Sequence, residues 1–476
     1  MNKFFKTIII ALLLLAAAGL FYFMFFRKHD YNILFKIPKD ATSVAIVDCR
    51  SLSSKLFLNS IGSDSGLLKH LNKYVPETLK NVSWSSTGLG IPDKIAFFTL
   101  EDTLNDKINY HFLLNISNAS RFNQFMEELC SKAGLKINKR EDLHWLIYTR
   151  KKLLVAWNDK QVTGIITTKT VSESLKTLVD ILNLQEQQSI MTNSVFVQKL
   201  AHKHDIFVFS KRYHYCSVKY LNVLNPEIVS MASYIELNKG KANIETELVT
   251  QRGSVLEKML SAKNIALPVL KTDSAIINLK TNVDPHAFND LLNKLKIIDF
   301  EAAVIPSLTT WNGSLNLVFS GSKNVKSTYI SYEYDDDFNK VEVSKDINET
   351  MMNIQAVFGQ FTAPKILKEG KDTVLFKGGN FLFSKKQGYY LTYNKHFAPL
   401  SVTKENFKAK LTIFIDFKRL RAILKETKKE TTPFFGRLPV EKSEISIYSG
   451  GKIKSTFYFA NKNQNVLYSI LDSIAL

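Results

Sequence analysis

Apolar and polar positions along this chain follow two periods, and the periods change places repeatedly. Ser43 to Asp48 is an apolar strand followed at once by a helical stretch from Ser51 to Phe57. Ile108 to Leu114 leads into a helix from about Asn118, with Phe122, Phe125, Met126 and Leu129 on one face and Gly134 as its stop. Thr170 and Glu173 stand at capping-box spacing before Val171, Leu175, Leu178, Val179 and Leu182, which keep the helical period. The same strand-then-helix unit recurs from Ser274 through Asp284-Pro285 to a stripe of Phe288, Leu291, Leu292 and Leu295. It recurs again at Leu411 to Asp416 with Leu420, Ile423 and Leu424, and last at Ser455 to Phe459 with Val466, Leu467, Ile470, Leu471 and Ile474.

Between these units lie longer alternating runs. Leu315 to Tyr334 alternates, with a turn expected near Gly321. Thr373 to Tyr393 carries two turn signals, Gly378-Gly379 and Gln387-Gly388. Hairpins of this kind predict antiparallel sheet with packed helices, an α+β class, rather than a parallel doubly wound sheet.

A different pattern opens the chain. Thr7 to Phe26 is free of charge and almost wholly apolar, with Lys3 and Lys6 before it and Arg27-Lys28 after it. Twenty residues at 1.5 Å each reach about 30 Å, the thickness of a bilayer's hydrocarbon core. The sequence therefore predicts an N-terminal transmembrane helix at residues 7–26, an uncleaved signal anchor over 1–28. Ala16-Ala17-Ala18 before Gly19 leaves cleavage as the competing reading. The flanking charges favour an inside N-terminus, which places a single-pass protein's large domain on the periplasmic or extracytoplasmic side.

Composition alters this picture in two ways. The chain of 476 residues is 45% hydrophobic and 12% aromatic, which supports folded cores and excludes disorder. Its net charge is +19, of which residues 1–30 contribute +3, leaving +16 beyond them. That balance suits an anionic partner, whether lipid headgroups, acidic glycan or nucleic acid, and equally a source genome biased to Lys, Asn, Ile and Phe. Cys49, Cys130 and Cys216 are widely spaced and form neither a zinc pattern nor a disulfide framework.

Pro38 to Asp48 and Leu270 to Asn278 share a pattern: a polar turn, an apolar strand, then Asp or Asn. This suggests two similar halves, 37–262 and 266–476, behind a linker at 29–36. The first of these openings, Ile37-Pro38-Lys39-Asp40-Ala41 with Val44, Val47, Asp48, Ser51 and Leu52, resembles uncharacterised membrane-anchored bacterial envelope proteins. Their ectodomains, of domain-of-unknown-function type, open with an I-P-x-D-A strand. The resemblance implies an envelope location and carries no active-site residue with it.

Several clusters are candidates for chemistry. Asp335, Asp337 and Asn339 occupy the first three ligand positions of a calcium loop, with Asp346 at the twelfth, but Lys340 replaces the sixth-position glycine. The flanks read as strands, so a hairpin turn is the competing account. His202, His204 and Asp205 could supply ligands to a transition metal, and equally close a helix before a strand. Lys211 to Tyr215 interleaves basic and aromatic residues, as a nucleic-acid surface or a half-buried strand would.

Residues 417–442 carry Lys418, Arg419, Arg421 and Lys425 beside an apolar stripe, then Phe434 and Phe435 in a loop. This is the pattern of a basic helix lying on an anionic membrane surface, or of one packed on its own sheet. No nucleophile elbow, phosphate loop, H-E-x-x-H or dinucleotide fingerprint occurs. The sequence thus predicts a non-enzymatic domain for binding or scaffolding at the cell envelope, without a cofactor, with protein, lipid or glycan as partner; nucleic acid is not expected. An enzyme acting on envelope polymers and a cytoplasm-facing basic protein are the alternatives.

Overall fold

The computed structural model describes residues 32–60, 87–89, 94–102, 107–149, 152–166, 170–202, 204–211, 227–261, 266–288, 290, 312–334, 338–359, 373–376, 379–386, 389–426 and 439–474. One antiparallel sheet of 19 strands organises them.

The first ten strands are β1 (Ser43–Asp48), β2 (Lys94–Asp102), β3 (Lys107–Asn115), β4 (Ile137–Arg140), β5 (Leu143–Tyr148), β6 (Leu153–Trp157), β7 (Gln161–Ile166), β8 (Ile206–Ser210), β9 (Ile228–Leu237) and β10 (Lys241–Thr250). The rest of the sheet comes from β12 (Ile277–Asn282), β13 (Ser314–Tyr334), β14 (Lys340–Phe358), β15 (Thr373–Phe376), β16 (Gly379–Lys386), β17 (Tyr389–Asn394), β19 (Leu411–Asp416), β20 (Val440–Ile447) and β21 (Lys452–Phe459). Strands β11 (Ala266–Leu270) and β18 (Val402–Asn406) pair separately as a two-stranded ribbon.

The pairing follows one path twice. From the centre outward one side runs β10-β9-β8-β1-β2-β3-β7-β6-β5-β4. The other runs β21-β20-β19-β12-β13-β14-β17-β16-β15. β10 and β21, the last strand of each series, join the two sides antiparallel. Single hydrogen bonds recur at equivalent places. Asp48 N donates to Asp205 O at 2.8 Å, and Asn282 N to Lys410 O at 2.7 Å. Lys211 N donates to Thr42 O, and Asp416 N to Ile276 O.

Local sequence accounts for the helices. In α1 (Cys49–Ser60), Asp48 accepts the backbone N–H of Ser51 at 2.8 Å. In α2 (Ala119–Ala133), Asn118 caps the N-terminus and Gly134 ends the helix, while Phe122, Met126 and Cys130 turn inward. In α3 (Val171–Leu182), Thr170 and Glu173 form the capping box. Lys36 donates to the terminal carbonyls of Leu182 and Leu184 at 3.0 and 2.9 Å. In α4 (Ser194–Leu200), Asn193 caps through Phe196 N. Among the described residues the other helices are α5 (Val255–Leu260), α6 (Phe417–Glu426) and α7 (Val466–Ile474), with a helical turn at 285–288 that Asp284 opens by accepting from Ala287 N at 2.8 Å.

The largest core lies between β1, β2, β3, β8, β9 and the covering segments 33–37, α3 and α4. It contains Val44, Ile46, Phe98, Leu178, Ile181, Phe196, Phe207 and Phe209. Each such side chain contributes about 1.5–3 kcal/mol. The I-P-x-D-A segment belongs to this core. Ile37 and Ala41 are fully buried, and Ile190 N bonds Ile37 O. Those motif residues are lock pieces of the fold.

Three expectations are corrected. Among the described residues the fold is mostly antiparallel sheet, 52% strand against 26% helix, and the expected N-terminal transmembrane helix is not part of it. Among the described residues no helix is long and apolar enough to cross a membrane. The longest of them, α2, has 15 residues, which span about 22 Å against a hydrocarbon core of about 30 Å. Residues 7–26 lie outside the described residues, and the transmembrane helix, the signal anchor and the single-pass localisation drawn from them are not carried further. Third, no turn forms near Gly321. β13 runs unbroken for 21 residues, and Gly321, at φ 129°, takes up a register shift between Phe319 and Ser322.

Candidate functional site

The residues singled out in the sequence separate in space. Lys418, Arg419, Arg421 and Lys425 all lie on α6, which packs on its own sheet. Arg419 donates to Ser274 O at 2.8 Å and Arg421 to Val440 O at 2.9 Å, so both guanidiniums pin the helix down. Lys418, largely exposed, lies 3.6 Å from Glu441. Phe434 and Phe435, and likewise Asp335 and Asp337, lie outside the described residues. Asn339 lies in the β13–β14 turn, just before Lys340, and Asp346 is 2.8 Å from Lys326 and accepts from Thr328 at 2.7 Å. Among the described residues no group of three or more His, Cys, Asp or Glu side chains is placed to hold a metal.

His204 and Asp205 instead enter a buried charged cluster. Asp205 accepts from Ser51 Oγ, Lys55 Nζ and Leu237 N, each at 2.6 Å. Asp48 lies 3.6 Å from Lys94, with both side chains under a tenth exposed. His204 Nδ1 bonds His202 O, while its Nε2 is buried without a partner. Burial holds the His204 pKa below the ordinary histidine value, and the Lys94 charge adds to that. The carboxylates here tie together the starts of α1, β2 and β8 and the end of β9. Their hydrogen bonds are committed to the fold, which suits positioning and not reaction. The sequence carried a faint signal for them: one carboxylate, Asp48, closes an apolar strand and the other, Asp205, stands just before one.

An open face lies at the centre of the sheet. The ladder of β10, β21, β20 and β19 sets three rows side by side: Lys241, Tyr458, Lys442 and Asp416; then Asn243, Thr456, Glu444 and Phe414; then Glu245, Lys454, Ser446 and Thr412. Two hollows open on these rows. One of about 500 Å³ is lined by Lys239, Lys241, Lys442, Lys462, Tyr458 and Phe414, among others. The other, of about 430 Å³, reaches His202, Tyr234 and Glu236 on β9 and its flank.

Electrostatics differ between the hollows. In the second, burial raises the Glu245 carboxyl, but hydrogen bonds and charge from Lys452, then Lys454, outweigh it and hold the pKa below the usual range. Tyr234 Oη is buried there without a hydrogen-bond partner. Burial, aided by Glu247 and Glu245, pushes that phenol well above its ordinary value. In the first hollow four lysines face Glu441 and Glu444, an excess of positive charge beside the rings of Phe414, Tyr458 and Phe459. Sequence reading missed this floor, although strict alternation of polar residues in β10 and β21 marks one face as uncovered.

No protein-family model matches the chain, and no curated protein does. Among solved structures, crystal form I of TP0453 aligns at a TM-score of 0.29 and 10% identity, over 50% of this chain and 88% of that one. Crystal form III aligns at 0.30 and 11%, over 50% and 89%. Likeness at that level carries no argument about fold or function.

Proposed function

We propose that this chain is a non-enzymatic binding protein of the cell envelope, built from two related modules at 37–262 and 266–476. Its central floor takes an anionic, hydroxyl-rich ligand of the acidic-glycan class. The observation that carries the reading is the larger hollow, where Lys241, Lys442, Lys239 and Lys462 surround Tyr458 and Phe414. Ammonium groups satisfy carboxylates, Glu444 accepts from hydroxyls, and the rings offer flat apolar contact. The similarity of residues 37–52 to envelope proteins supports the location.

Calorimetric titration of the full chain with a uronic-acid oligosaccharide tests this. Binding that weakens with salt, and falls at least about tenfold in Lys241→Glu with Lys442→Glu, is the expected result. Equal affinity for a neutral oligosaccharide, or no effect of the double variant, overturns it.

A further inference from the structure

The hairpin β13–β14 leaves the sheet. Within the sheet β13 pairs with β12 only from Ser314 to Phe319, and β14 with β17 only from Gln355 to Phe358. From Ser322 to Tyr334 and from Lys340 to Met352 the two strands pair, among the described residues, only with each other. Thirteen residues at about 3.3 Å make an arm of about 40 Å. No described residue from Gly321 to Ile354 is buried. Ile330, Tyr332 and Tyr334 form an apolar row at 60%, 54% and 71% exposure, and Phe338 at the turn is 85% exposed.

Cross-strand contacts hold the arm's register. Tyr332 Oη donates to Glu342 at 2.9 Å, Lys340 stands 4.2 Å over the Tyr332 ring, and Lys345 pairs with Glu333. An isolated two-stranded ribbon is nonetheless marginal in water, and each of its outer edges is a template for another strand.

Charge limits how two copies can meet. Residues 320–354 hold four lysines against seven carboxylates, a net −3, so the other 441 residues hold +22. Two arms carry like charge, but −3 each is small beside +22 on each body, so arm meets arm at far less cost than body meets body. The outer edge of β13 is also complementary to itself. A two-fold axis through Thr328 pairs that residue with its own copy and sets Lys323 of each arm opposite Glu333 of the other. Tyr332 then faces Asn324, and Ile330 lies along the stem of Lys326.

We propose that the chain forms a two-fold dimer in which the β13 edges of two arms pair antiparallel, making a four-stranded bridge between the bodies. This goes beyond the ligand reading and stands without it. The apolar row gains a neighbouring strand, and the unpaired backbone groups of both edges find partners. Closed two-fold pairing also consumes both β13 edges, so growth along that edge stops at two copies.

Sedimentation of the full chain tests the proposal, in a non-ionic detergent that keeps the apolar residues 7–26 from associating by themselves. The expected species is a dimer. Replacing residues 322–352 by an Asn-Gly turn, which shortens the hairpin to about the length of β2–β3, gives a monomer. Lys323→Glu or Glu333→Lys alone weakens the dimer at least about tenfold, and the two together restore it. Both residues are exposed, but Glu333→Lys also removes its pair with Lys345 and Lys323→Glu its contact with the Phe397 ring at 4.8 Å, so recovery in the double swap is the deciding readout. A monomer at the highest soluble concentration, a dimer that survives the shortened hairpin, or a double swap no better than either single change overturns the proposal.

Discussion

The two sides of the sheet trace the same strand path and put opposite chemistry on it. Where β1 and β8 present Val44, Ile46 and Phe207 to a core, the equivalent positions on β12 and β19 are Asn278, Lys280 and Thr412. Tyr234 on β9 corresponds to Ser446 on β20. The difference follows from cover. Residues 33–37, α3 and α4 lie over the first set, and Phe196 meets Phe207 and Phe209 edge-on at 5.8 and 5.4 Å. On the other side the β11–β18 ribbon lies over β13, β14 and β17, where Leu270 packs with Val318, Val357 and Leu391. There Lys280 reaches Glu405 at 2.8 Å and Thr412 bonds Ser446 at 3.1 Å. Strand order is therefore indifferent to side-chain chemistry, and the layer above a strand selects it. The hairpins make the same point: β2 and β3 have 9 residues each, β13 and β14 have 21 and 19.

The sharpest way to break this comparison is to truncate paired positions. Phe207→Ala should cost about 3–5 kcal/mol, whereas Thr412→Ala at the matching site should change stability by no more than about 0.5 kcal/mol. Denaturant melts of both variants check this, and equal losses would show that cover does not set the chemistry.

Next in size is the buried cluster. Asp205→Ala strips the acceptor from Ser51, Lys55 and Leu237, and each buried donor left without a partner costs about 1–3 kcal/mol. The same melts read it, and a shift of under 1 kcal/mol would mean that the cluster does not hold the strand starts together.

The smallest effect is the acid dependence of His204. Its folded pKa lies below the ordinary 6.5 because burial, aided by Lys94, outweighs the His202 carbonyl hydrogen bond and the charges of Asp48 and Asp205. The unfolded chain therefore binds the proton more readily. The stability His204 contributes is full above about pH 6.5 and falls as pH drops through the window down to the folded pKa. His204→Phe should flatten the change in melting midpoint between about pH 7 and pH 5; an unchanged slope would assign the acid dependence to other groups.

Much of the local structure was legible. Asn118, Gly134, Thr170 with Glu173, and Asp284 act at helix ends where their spacing predicts, because caps depend on residues three or four apart. The long alternating run to Tyr334 was legible as strand, but not its length. Glycine at 321 reads equally as a turn or as a bulge, and only the register against β14 decides between them. The candidate site was the least legible. Lys241, Lys442, Tyr458 and Phe414 come from four strands up to 217 positions apart in sequence, and no local pattern records which strands become neighbours.

What the sequence by itself determined is short-range: which segments are strand or helix, where helices start and stop, and how much charge the chain carries. Tertiary structure decided that the second strand series repeats the path of the first and meets it at β10 and β21. It also decided that one face of that seam stays uncovered and that one hairpin outgrows its sheet. The physical reason is range. Caps and periodicity act within a turn or two of backbone, while strand pairing and burial are settled by residues hundreds of positions away, whose contacts exist only once the whole sheet has formed.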